Sequence, residues 1–166
     1  MGISSYYGGC IFGHLNEESF TITQLSERSG MGPVNLFTHD LRGLSVEVPG
    51  ELEIKSFDEG GGAETVVFQH PTDQLGFQIF ILPYKGEQIT EDRILKDIPS
   101  GVVKDPQEVV IGKRGDIRAM AFVSENPIMG ETREVWFIHD GYLYEVTTYL
   151  SYDEWIADIM DTVSFE

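Results

Sequence analysis

The chain is short of bases, of cysteine and of long apolar runs, and each shortage removes a class of function. Over 166 residues, 11 Lys and Arg stand against 28 Asp and Glu, a formal charge of −17. A surface of that sign repels phosphate backbones and anionic lipid headgroups, so nucleic acid is not an expected partner. The single cysteine, Cys10, cannot close an internal disulfide, and "GGCIFG" offers no basic neighbour to stabilise a thiolate. No apolar stretch approaches the roughly 20 residues that span a bilayer, so direct membrane insertion is not expected. The opening "MGISSYYGG" lacks the basic segment and apolar core of an export signal, and Tyr6 stands where a myristoylation pattern has Ser or Thr.

What is present is enough for a packed core. Apolar residues make up 41% of the chain and aromatics 11%, and a chain of this length fits one domain that buries about two-thirds of its unfolded surface. The acids are dispersed through stretches such as "NEES", "DEGGGAE" and "YDEW", which reads as a solvated face rather than a cation cage.

Alternation of period two dominates the pattern. Residues 10–25, "CIFGHLNEESFTITQL", predict two short strands around Asn16–Ser19, and "SERSGMGP" (26–33) predicts a linker. Residues 1–33 are therefore read as an N-terminal extension, a β-hairpin with a linker, and residues 34–166 as the main domain. That domain opens on "GLSVEVPG", where Leu44, Val46 and Val48 alternate with Ser45 and Glu47. Strands follow at "ELEIKSF", "TVVFQH", "GFQIFIL", "EVVIG" and "DIRAMAFVSE". "TEDRILKDI" predicts a short helix with Thr90 as its N-cap.

In "VWFIHDGYLYEV" (135–146), Asp140-Gly141 is the signature of a two-residue hairpin turn with both central residues at positive φ. That turn sets His139 opposite Tyr142, Ile138 opposite Leu143, Phe137 opposite Tyr144, Trp136 opposite Glu145 and Val135 opposite Val146. Val135, Phe137, Tyr144 and Val146 then share one face, and Trp136, Ile138 and Leu143 the other. Ser151-Tyr152-Asp153-Glu154 fits a capping box, followed by Trp155, Ile156, Ile159, Met160 and Val163 at helical spacing. The apolar face of that helix is expected to cover the hairpin's sheet.

The "G-x-S-V-E-V-P" strand at 43–49 and the "GYLYEVT" strand running into a helix that ends near "DTVSF" make residues 36–166 resemble the PsbP-like family, a fold shared by PsbP, DcrB and Ran-binding Mog proteins. The resemblance implies an α+β fold in which an antiparallel sheet is flanked by helices, an α/β/α sandwich. It also implies a non-catalytic accessory or binding domain, extracytoplasmic or surface-associated, that engages a protein partner. No family site residue carries over, and residues 1–33 lie outside it.

Catalytic readings are weaker. His39-Asp40 and His139-Asp140 resemble the paired ligands of a small metal-dependent hydrolase, the main alternative, but they fall in strand-and-turn context rather than on helices. His14 and His70 add no ligand spacing. "DEGGGAE" (58–64) lacks the alternating oxygens of a calcium loop, and Gly60–Gly62 are not followed by Lys-Ser/Thr as a phosphate loop requires. No G-x-S-x-G elbow occurs. The expectation is therefore no enzyme, no cofactor and no metal. Tyr6, Tyr7, Phe12, Trp136, Tyr142 and Tyr152 are the aromatics considered for a partner patch, with Trp136 better suited to lie under a helix on the second face of the sheet. A third reading takes the chain as a structural subdomain of a larger envelope protein, with residues 1–33 completing a neighbour's sheet.

Overall fold

The computed structural model describes residues 14–15, 19–28, 32–98 and 100–166. In chain order its strands are β1 (His14–Leu15), β2 (Phe20–Arg28), β3 (Gly32–His39), β4 (Leu44–Pro49), β5 (Glu53–Gly60), β6 (Ala63–Gln69) and β7 (Gly76–Pro83). A short helix α1 (Glu91–Asp97) precedes β8 (Lys104–Ile111), β9 (Ile117–Asn126), β10 (Gly130–His139) and β11 (Tyr142–Tyr149). Helix α2 (Asp153–Met160) and β12 (Ser164–Phe165) close the described chain.

These strands form an eight-stranded sheet, β1-β5-β6-β7-β11-β10-β9-β8, and a four-stranded sheet, β12-β4-β3-β2. Every pairing is antiparallel.

The fold is not the helix-flanked α/β/α sandwich implied by the PsbP-like resemblance: it is mostly β, and sheet packs on sheet. Helix length is the physical reason. The two described α-helices have 7 and 8 residues, about 11 and 12 Å long, whereas eight paired strands extend about 34 Å sideways. Neither helix can cover such a face. Strands β3 and β4 do it instead: Phe37, Leu44, Val46 and Val48 pack against Val66, Phe68, Phe77 and Ile79 of the large sheet. Helix α2 completes that layer with Ile156, Ile159 and Met160, and Val163 follows it into the same core. The opposite face of the large sheet carries a second core, where Ile94 and Ile98 from the α1 segment meet Phe122, Trp136 and Leu143.

The segment read as an extension is also used differently. Leu15 pairs with Phe57 of β5, whereas Phe20–Leu25 pair with Val34–His39 of β3. The two strands flanking Asn16–Ser19 thus belong to different sheets and do not form one hairpin. The boundary expected after residue 33 falls inside β3.

The β10–β11 hairpin has the register read from its turn, His139↔Tyr142 through Val135↔Val146. Asp140 and Gly141 have φ of 47° and 80°, the double positive the turn demands. Its two faces divide as expected, with Phe137, Tyr144 and Val146 in the first core and Trp136 and Leu143 in the second. Thr90 caps α1, its hydroxyl accepting the Arg93 N–H at 3.2 Å.

The capping box at Ser151 does not form. Leu150–Tyr152 already turn as a 3-10 helix, so the extended residue before the turn is Tyr149, and α2 starts at Asp153 without a side-chain cap. Asp153 and Glu154 still sit in its first turn, where the helix dipole favours acids.

Candidate functional site

The structure gives the histidines of the two His-Asp pairs different tasks. His39 ends β3 fully buried, with its Nε2 2.6 Å from Glu64 Oε1 on β6. The backbone N–H groups of Leu41 and Arg42 donate to its Nδ1 at 3.3 and 3.2 Å. Nδ1 is therefore the acceptor and Nε2 carries the proton, donating it to Glu64. In this arrangement neither ring nitrogen has a lone pair left for a metal.

Ser56 Oγ donates to the other oxygen of Glu64 at 3.0 Å, and Arg42 Nε lies 3.4 Å from Oε1. The chemical order is Ser–Glu–His, with the carboxylate in the middle. A nucleophile relay needs the imidazole between hydroxyl and carboxylate, so this set cannot activate Ser56 through His39. Burial alone would push the Glu64 carboxyl up, but the His39 hydrogen bond, the Ser56 hydroxyl and the Arg42 guanidinium outweigh it, and its pKa lies below the ordinary value. The cluster ties the small sheet, through His39, to β5 and β6 of the large one. Arg42 then stacks 3.8 Å above the Tyr142 ring.

Asp40 is exposed and accepts the Thr21 hydroxyl at 2.8 Å. His139 is half-buried and stacks on Phe165 at 3.7 Å, and Asp140 serves the hairpin turn. Among the described residues, no three His, Cys, Asp or Glu side chains converge in a metal-binding group.

The acids of "DEGGGAE" are engaged locally: Asp58 accepts from the Gly60 N–H, Glu59 from the Thr65 hydroxyl, and Glu64 belongs to the His39 cluster. His70 accepts from the Thr72 N–H in a turn. Cys10, Tyr6, Tyr7 and Phe12 lie outside the described residues, as does the side chain of His14. Trp136 is completely buried, Tyr142 lies under Arg42, and Tyr152 packs edge-on to Tyr149 and Trp155. The aromatics that are described are therefore packing residues more than a display surface.

Two buried acids escaped the sequence reading. Glu134 on β10 is 3% exposed and accepts the Trp136 indole N–H at 3.0 Å, the Thr147 hydroxyl at 2.7 Å and the Thr132 hydroxyl at 2.9 Å. Burial raises its pKa to about 7 against the pull of those three donors. Glu145 on β11, opposite Trp136, is 6% exposed, and one of its oxygens, Oε2, has no partner among the described residues. Burial, then the hydrogen bond and charge of Asp97 on α1, push it up to about 11. The signal was in the hairpin register itself, which places Glu134 and Glu145 on the same face as Trp136.

Two kinds of concavity remain. A cleft of about 640 Å³ and a neighbouring one of about 720 Å³ share Glu87, Ile138 and His139, beside the segment 84–89. Their linings mix both charges, with Glu108, Asp116 and Arg118 on one side and Lys85 and Asp140 on the other. On the first face of the large sheet, a groove of about 390 Å³ runs between α2 and β8. Its floor is Val109, Ile111, Ala121 and Val135, and its α2 wall is Ile156, Ala157 and Met160.

No protein-family model matches this chain, and no curated protein matches it. Among the described residues no helix is long and apolar enough to cross a membrane.

Proposed function

We propose that this protein is a non-catalytic accessory domain that engages a protein partner. The observation that carries the reading is the apolar groove between α2 and β8, at the free end of the large sheet. A strand with no described neighbour on one side, beside a groove of aliphatic side chains, offers both backbone hydrogen bonds and apolar area to another chain. The acidic surface supports a basic partner rather than nucleic acid. The PsbP-like resemblance implies the same kind of role. The histidine sites lend the hydrolase alternative no support, since His39 has both nitrogens engaged and His139 lies against Phe165.

The test is affinity capture with the full chain as bait in native membrane and secreted fractions, at low and high salt. The expected result is a specific protein retained at low salt and weakened at high salt. Capture of no protein under any condition counts against the reading.

A further inference from the structure

We infer that the partner presents an extended, Lys- or Arg-rich segment that adds as a further strand outside β8 and closes the open side of the α2 groove. This rests on the protein-binding reading above and names the chemistry of what binds and where.

The geometry begins with the edge. β8 is the last strand of the large sheet, and no described strand pairs with its outer side. Natural edge strands are guarded against pairing by prolines, bulges and charges. Here the proline and the bulge sit at one end only. Pro106 lacks an N–H, Asp105 has φ of 49°, and the register with β9 shifts between Lys104 and Gln107. From Gln107 to Ile111 the pairing with β9 is regular, residue for residue, and Val110 is 57% exposed. That second half is a regular edge with its backbone open, carrying Glu108 as its one charge and Val109, Val110 and Ile111 as its apolar residues.

The groove beside it lacks a wall. Its floor is β8–β10 and one wall is α2, but no described residue beyond β8 lines it. A strand added about 4.8 Å outside β8 would place every second side chain on that face, where short apolar groups would supply the missing side.

Charge then selects the occupant. Asp153 and Asp161 rim the groove, Glu108 is exposed on the edge strand, and Glu154 and Asp158 stand exposed on α2. Among the described residues Arg133 is the one base lining it, and its Nε is already 2.9 Å from Asp153 Oδ1. A second copy of this chain would bring the same acids and a formal charge of −17 to meet them. A segment alternating small apolar and basic residues fits both the period of the strand and the sign of the rim.

The test is a titration of the full-length, isotope-labelled chain with a synthetic peptide of alternating Lys and Val, and with its Glu-for-Lys counterpart, followed by NMR. The expected result is shift changes and slowed amide exchange confined to residues 107–111 and 153–161, lost with the Glu peptide and reduced by salt. Ala157→Trp fills the groove from an exposed position, and Asp161→Lys reverses one rim charge. Each is expected to weaken binding roughly tenfold or more, while leaving the rest of the spectrum unchanged. Changes elsewhere on the molecule, equal binding of the Glu peptide, or a β8-paired dimer of the chain itself would overturn the proposal. If a captured partner is retained equally by Ala157→Trp, the site is wrong while the protein-binding reading stands. If the peptide binds the edge as described but no protein is ever captured, the broader reading fails and the edge site stands.

Discussion

The buried carboxyl of Glu145 on β11 faces the carboxyl of Asp97 on α1, whose hydrogen bond and charge add to burial in raising its pKa. Such a bond needs a shared proton, and burial assigns it to Glu145. Asp97 also lies beside Arg93, whose Nε is 2.9 Å from its Oδ2. The charged and titratable groups around Glu145 are therefore Asp97 and Arg93 on α1 and Glu134 on β10.

That proton makes stability depend on pH. Glu145 has a folded-state pKa near 11, against about 4.5 in the unfolded chain, so the folded state binds more protons in between. Its contribution is complete below 4.5 and is lost as pH rises toward 11. Glu145→Gln keeps a donor to Asp97 without an ionisable proton. The variant is expected to gain on the native chain as pH rises, by on the order of 2–4 kcal/mol at pH 9. Urea unfolding at pH 5, 7 and 9 measures it, and an equal difference at all three would contradict the assignment.

Glu134 titrates in a narrower window. With its pKa raised to about 7, stability from its protonated form falls between about 4.5 and 7 and is flat above. Because the Trp136 indole donates to this carboxyl, tryptophan fluorescence is expected to change with a midpoint near 7. Glu134→Gln, which preserves an acceptor for Trp136 and Thr147, is expected to abolish that transition. Persistence of the midpoint in the variant would assign it elsewhere.

The His39–Glu64 pair works in the opposite direction. The Glu64 pKa is lowered, so its contribution is present above the unfolded value and lost as pH falls through the folded one. Glu64→Gln is expected to destabilise the protein by about 1–3 kcal/mol at pH 7 and to flatten the acid limb of the stability curve. An acid unfolding titration of both proteins provides the comparison.

Gly76 starts β7 where a side chain has no room. A Cβ there would lie 2.5 Å from the Phe68 carbonyl oxygen and 2.5 Å from Gln69 Oε1. Gln69 is a flexible neighbour, but the Phe68 carbonyl is backbone in the paired strand β6. Gly76→Ala is expected to cost about 1–3 kcal/mol, read as a lower midpoint in chemical denaturation.

Much of the strand pattern was legible because it rests on neighbours in the chain. Asp140-Gly141 specifies its turn by local φ alone, and from it follow the register of Val135–Val146 and the division of its two faces. Thr90 could be read as a cap because its partner, Arg93, is three residues away. Ser151 misled because a cap requires an extended backbone, and the chain leaving β11 had already begun to turn. Glu134 and Glu145 were overlooked although the register placed them beside Trp136, because acids in so acidic a chain were read as solvated.

Local periodicity thus determined most of the strands, though not β3 (Gly32–His39), which overlaps the stretch read as a linker. It carried no information on what covers their apolar sides. That choice depends on pairings between residues far apart in sequence, such as Leu15 with Phe57 or Phe165 with Leu44, and on contacts such as His39 with Glu64. Packing made it: apolar faces wider than either helix can span were closed by a second sheet, and the acids carried inside by the register were left to find donors or a proton.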